Sequence, residues 1–112
     1  MNAPPAWPTD ADGDVFRRLE AKGFDFGAEY EIDFNVDFDD WPPHRDAVAW
    51  LESRYSKVKI WGPEPDFSGY VQFKLRSKLT YALVMDVQRE ATAGTREYGG
   101  ICESWGVLQP GP

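Results

Sequence analysis

The chain has 112 residues, 17 of them aromatic, with a single cysteine, a single histidine and a net charge of −7. That length makes one domain, large enough to bury a core without staples. One cysteine excludes an internal disulfide and a cysteine-rich zinc site and points to a reducing, cytoplasmic setting, and one histidine excludes a three-histidine metal site. No apolar run approaches the ~20 residues of a membrane span. Residues 1–9 have neither the basic start nor the apolar stretch of a secretory signal.

The first forty residues hold eleven acidic and three basic side chains, a net of −8, and the remainder nets +1. An acidic half repels nucleic-acid backbones and attracts a basic protein partner. The same acids can also be plain solubilising surface.

In chain order, residues 1–11 are rich in Pro, Ala and Asp and read as a disordered segment. The folded domain is expected over residues 12–108, with 109–112 as a tail. Asp12 or Asp14 can cap a short helix running to Lys22, with Val15, Phe16 and Leu19 as its apolar stripe and Gly23 as its left-handed stop. Glu29 to Phe38 then alternates without a break: Tyr30, Ile32, Phe34, Val36 and Phe38 on one parity, Glu29, Glu31, Asp33, Asn35 and Asp37 on the other. A period of two over ten residues predicts a strand with one buried and one wet face.

Asp40, followed by Pro42 and Pro43, predicts the capped first turn of a helix over residues 42–55, with Ala47, Val48, Leu51 and Tyr55 facing inward. Val58 and Ile60 share a parity in a short second strand. Gly62-Pro-Glu-Pro65 is turn chemistry. A third strand over residues 68–77 puts Val71, Phe73 and Leu75 on one face and Tyr70, Gln72, Lys74 and Arg76 on the other. Residues 79–98 return to helical periodicity through Leu83, Val84, Val87 and Ala91, capped by Thr80 or Ser77. Gly94 costs about 1 kcal/mol inside that helix. Gly99-Gly100 ends it, and residues 101–107 form a last strand.

After the short N-terminal helix, the order strand, helix, strand, strand, helix, strand predicts an α+β, ferredoxin-like two-layer sandwich. In it the first strand lies between the third and fourth, with its carboxylates opposite Lys74 and Arg76. Such pairs contribute roughly 0.2–1 kcal/mol each.

The chain carries no catalytic signature. His44 has no Ser or Cys nucleophile near it in sequence. Asp37, Asp39 and Asp40 are hard oxygen ligands without the spacing of a calcium loop, and Asp10-x-Asp12-Gly-Asp14 looks calcium-like but lacks that loop's acidic terminus. The glycines at 94, 99 and 100 do not make a phosphate loop. Trp61, Tyr70, Lys74 and Arg76 are the residue types that stack and hold RNA on an open sheet, against which stands the acidic strand beside them. Trp105 reads either as an aromatic covering the sheet end or as a binding anchor.

Arg18-Leu-Glu-Ala-Lys-Gly23, Ala28-Glu-Tyr-Glu-Ile32, Gly99-Gly100 and Glu103-Ser-Trp-Gly106 together resemble the regulator of ribonuclease E activity B family. There a helix ending in Gly leads into a Tyr-x-Ile/Val strand, and the chain closes on an Asp-Gly-Trp-like strand. Here Glu103-Ser stands where that family has Asp-Gly. The family's enterobacterial regulators also have an extra N-terminal helical segment and a strongly acidic tail. The resemblance implies an α+β sandwich without cofactor or metal, inhibiting a ribonuclease E-type endonuclease by protein contact.

Two readings of function follow. In one, the protein is a non-catalytic regulator that binds a protein through an acidic sheet face. Glu29, Glu31, Asp33 and Asp37 supply attraction, Trp61 and Trp105 serve as anchors, and neither nucleic acid nor membrane is contacted directly. In the other, the open face holds a small ligand or a second copy of the chain, as a homodimer.

Overall fold

The computed structural model describes residues 7–107. Along them run α1 (Ala11–Ala21), β1 (Glu29–Phe38), α2 (Arg45–Arg54), β2 (Ser56–Trp61), β3 (Tyr70–Lys78), α3 (Tyr81–Thr95), a 3₁₀ turn (Arg96–Tyr98) and β4 (Gly100–Val107). The domain is α+β. Its four strands form one antiparallel sheet in the order β2-β3-β1-β4, so β1 lies between β3 and β4.

The alternation in β1 becomes the core. Ile32, Phe34 and Val36 are fully buried, as are Val71 and Phe73 of β3. They form one cluster with Phe16 and Leu19 of α1, Leu51 of α2, and Val84, Val87 and Ala91 of α3. All three helices therefore cover the same face of the sheet. Each fully buried large apolar side chain contributes about 1.5–3 kcal/mol. Phe73 stacks between Phe34, at 5.4 Å, and Tyr55, at 3.9 Å, which ties the end of α2 to the two central strands.

The fold begins earlier than the sequence implies. The Asp10 carboxylate, not Asp12 or Asp14, accepts the Gly13 N–H at 2.7 Å and caps α1. Trp7 packs against Phe16 and Phe26 at 4.7 and 5.4 Å, and its carbonyl accepts a bond from Arg17 at 2.8 Å. Trp7 and Asp10 thus pack on and cap α1, where composition predicts a disordered segment. Residues 1–6 and the expected tail, 109–112, lie outside the described residues. Gly23 has φ +81° and ends α1 as expected.

Helix α2 starts three residues later than expected. Its cap is His44, whose Nδ1 accepts the Asp46 N–H at 3.0 Å; Asp40 and the two prolines stay outside. Thr80 caps α3 through the Leu83 N–H at 3.1 Å. Gly94 is a seat: a Cβ there would lie 2.2 Å from the Trp50 ring. In the edge strand β2, Lys57 has φ +54°, and Lys57 and Val58 together oppose a single residue of β3, an extra-residue bulge. Ile60 pairs with Val71 yet stays 50% exposed, because it lies at the edge, beyond helix cover.

Candidate functional site

The second face of the sheet carries no helix among the described residues. Strand pairing arranges it in levels, since residues opposite one another share a face. One level runs Trp61, Tyr70, Asp37, Ile101 across all four strands. The next runs Lys59, Gln72, Asn35, Ser104, and the next Ser56, Lys74, Asp33, Gly106. Two further levels pair Arg76 with Glu31 and Lys78 with Glu29.

Three of the four candidate carboxylates are matched by cations of the same chain. Lys74 bonds Asp33, Lys57 reaches Glu31 from the β2 bulge, and Arg76 lies diagonally 3.8 Å from Glu29. The Lys57 bond, followed by the Lys74 and Arg76 charges, holds the Glu31 carboxyl below its ordinary range against the opposing effect of burial. The face is therefore charge-balanced and not acidic: β1 carries a column of negative charge and β3 the matching positive one. The amides between them are also joined, Gln72 donating to Asn35 at 3.2 Å and Asn35 to Ser104 at 3.1 Å.

Asp37 has no cation partner among the described residues. Partial burial pushes its carboxyl up, and the Glu103 charge pushes it further. It shares its level with the aromatic corner of the face. Trp61 stacks on Tyr70 at 6.3 Å, Phe67 reaches Tyr70 at 5.9 Å, and the Lys59 ammonium lies 3.9 Å above the Trp61 ring, a cation–π contact. The Trp61 indole N–H is buried with no acceptor. Phe67 and Ile101, 39% and 43% exposed, extend this corner. Ile101 was not legible as a surface residue, because its place beside Asp37 depends on the strand pairing.

Trp105 is on the other side of the sheet, opposite Phe34. Its ring packs 5.5 Å from Phe16 and its N–H donates to Asp12 at 2.8 Å. Asp12 also accepts from Gln88 at 3.2 Å, so one carboxylate ties α1, α3 and β4 together. The structure thus gathers Glu29, Glu31, Asp33, Asp37 and Trp61 on one surface and sets Trp105 apart from them.

The groups that could do chemistry are otherwise engaged. Cys102 is buried, and burial, followed by the Asp37, Asp12 and Glu103 charges, pushes its thiol up to about 12, far from a reactive thiolate. His44 caps α2 and stacks on Tyr98 at 4.7 Å. Among the described residues no group of three or more His, Cys, Asp or Glu side chains is arranged to hold a metal ion, and no helix is long and apolar enough to cross a membrane.

No curated protein matches the chain. The sequence profile of the family described as regulator of ribonuclease activity B matches residues 9–107. That span runs from just before the capping aspartate of α1 to the last residue of β4, and so includes every element of the fold. The chain belongs to the regulator of ribonuclease activity B family.

Proposed function

We propose that this protein is a non-catalytic cytoplasmic regulator that binds a ribonuclease through the open face of its sheet, with no cofactor and no direct contact to nucleic acid. The observation that carries the reading is the combination of family membership with an uncovered face bearing an aromatic corner. The resemblance of the sequence to regulators of ribonuclease E makes an endonuclease of that type the partner to test. Strand order and directions support a ferredoxin-like sandwich, a fold that leaves one sheet face free for this use.

The balance of charge refines how such a face would dock. Glu29, Glu31 and Asp33 already have cations, so they contribute orientation and on-rate more than affinity. Affinity would come from the corner around Trp61, Tyr70 and Asp37. There the Tyr70 ring, stacked on Trp61, lies opposite the Asp37 carboxylate, which partial burial already disfavours, and burying the corner against a partner's donor relieves that cost. Trp105, on the helix side, stands outside this docking surface.

The test is an RNA-cleavage assay of a ribonuclease E-type endonuclease with the purified chain added, alongside direct binding by calorimetry. The wild type should slow cleavage, and Trp61→Ala should weaken both binding and inhibition about tenfold or more. A wild-type chain that neither binds nor inhibits, or a Trp61→Ala variant that does both as well as wild type, would sink the reading.

A further inference from the structure

The paired columns on β1 and β3 are self-complementary. Consider a two-fold axis running along the β1–β3 ladder. It exchanges β1 with β3 and β2 with β4, so each level of the open face would stack on the same level of a second copy, reversed. Lys74 then faces Asp33 of the copy, Arg76 faces Glu31, and Lys78 faces Glu29. Gln72 faces Asn35. The Tyr70 hydroxyl comes over Asp37, the carboxylate with no cation of its own, and the Trp61 ring comes over the exposed Ile101. No level sets like charges against each other.

We infer that a second copy of this chain occupies the open face, forming an isologous dimer about that axis. The alternatives fit less well. A nucleic acid needs an excess of cations, and here each acid of the first three β1 levels takes a cation for itself. A strongly basic partner would have to displace those same cations. A small molecule would meet only one or two of these levels. A second copy needs neither an excess of charge nor a cavity, because it brings the matching pattern.

The face measures roughly 30 Å along the ladder and 19 Å across four strands, or about 600 Å² per copy. The total is near the lower limit for a specific interface. Sheet twist tilts facing strands by about 30°, so the levels nearest the axis carry the contact. The dimer is therefore weak, concentration-dependent and loosened by salt. On the docking reading above, it also hides the surface that the ribonuclease needs, so self-association and inhibition compete.

Sedimentation equilibrium of the full chain tests the dimer without any ribonuclease. Wild type should shift from monomer to dimer with concentration, less so at high salt. Asp33→Lys puts Lys over Lys across the axis, and Lys74→Asp puts Asp over Asp. Each should weaken association at least about tenfold. Mixed together, the two variants present position 33 of one to position 74 of the other with opposite charge. The mixture should dimerise where neither component does, as should the double swap on one chain. A wild type that stays monomeric throughout, single variants that associate like wild type, or a mixture that fails to pair would each overturn the inference. A chain that dimerises but never binds the ribonuclease would overturn the docking reading alone.

Discussion

The Trp50 indole fills the space that a side chain at position 94 would take: a Cβ on Gly94 would stand 2.2 Å from the ring. The Arg54 guanidinium lies 5.2 Å from the same ring. Helix propensity alone rates Gly94→Ala as a gain of about 1 kcal/mol. Overpacking costs about 1–3 kcal/mol, so the substitution should destabilise the protein on balance. In a Trp50→Ala background the clash is gone, and Gly94→Ala should turn stabilising. Urea unfolding of the four proteins of this cycle measures the reversal, and the same sign in both backgrounds would contradict it.

Asp12 is expected to matter out of proportion to its exposure, since it accepts from both Trp105 and Gln88. Asp12→Ala leaves the half-buried Trp105 indole N–H without an acceptor and takes one of two acceptors from the buried Gln88 amide, which keeps the Val84 carbonyl, at about 1–3 kcal/mol. Asp12→Asn retains one acceptor oxygen and should cost less than the alanine variant. Denaturant midpoints at neutral pH order the three proteins.

A pH-dependent contribution should come from Glu90. The Tyr55 hydroxyl donates to its carboxylate, and the Arg54 guanidinium bonds it at 3.0 Å. These bonds, the tyrosine's first, hold the Glu90 carboxyl below its ordinary value. A carboxylate with a lowered folded pKa adds stability above its unfolded pKa and loses it as pH falls through the folded one. The group is largely solvated, so the effect is at most about 1 kcal/mol. Tyr55→Phe keeps the stack on Phe73 and should lower stability at pH 7 but hardly at all in strong acid, as thermal unfolding across pH would record.

Asp37 should behave in the opposite sense. Burial, and then the Glu103 charge, raise its carboxyl above the usual aspartate range. The folded protein therefore binds this proton more tightly than the unfolded chain does. The ionised form is a cost above the raised folded pKa, and that cost disappears as pH falls through it toward the unfolded value. Carbon-13 NMR titration of the Asp37 carboxyl should find it above the usual aspartate range, moving down in Glu103→Gln. An ordinary value unaffected by that substitution would contradict the account.

The elements that were legible are those whose information is local. Glu29 to Phe38 announces itself as a strand because its period of two is unbroken, and the strand occupies those same residues. Gly23 and Thr80 mark helix ends by chemistry that acts within one turn. Where local signals competed, the wrong one was the more visible. Asp40 with two prolines resembles a helix start, but His44 makes the cap. Asp12 and Asp14 both read as caps for α1, but it is Asp10 whose carboxylate meets the Gly13 N–H, leaving Asp12 free for Trp105.

By itself the order of the residues determined the α+β class, the central strand and the parity of its carboxylates, because each follows from spacing along the chain. Only the tertiary structure decided what those carboxylates meet. Lys57 lies 26 residues from Glu31 and Lys74 lies 41 from Asp33. Strand pairing and the β2 bulge bring them together, turning an acidic strand into a balanced surface. It likewise sent Trp61 and Trp105 to opposite sides of the sheet, since in a pleated strand a shift of one residue in pairing or bulge position exchanges the two faces.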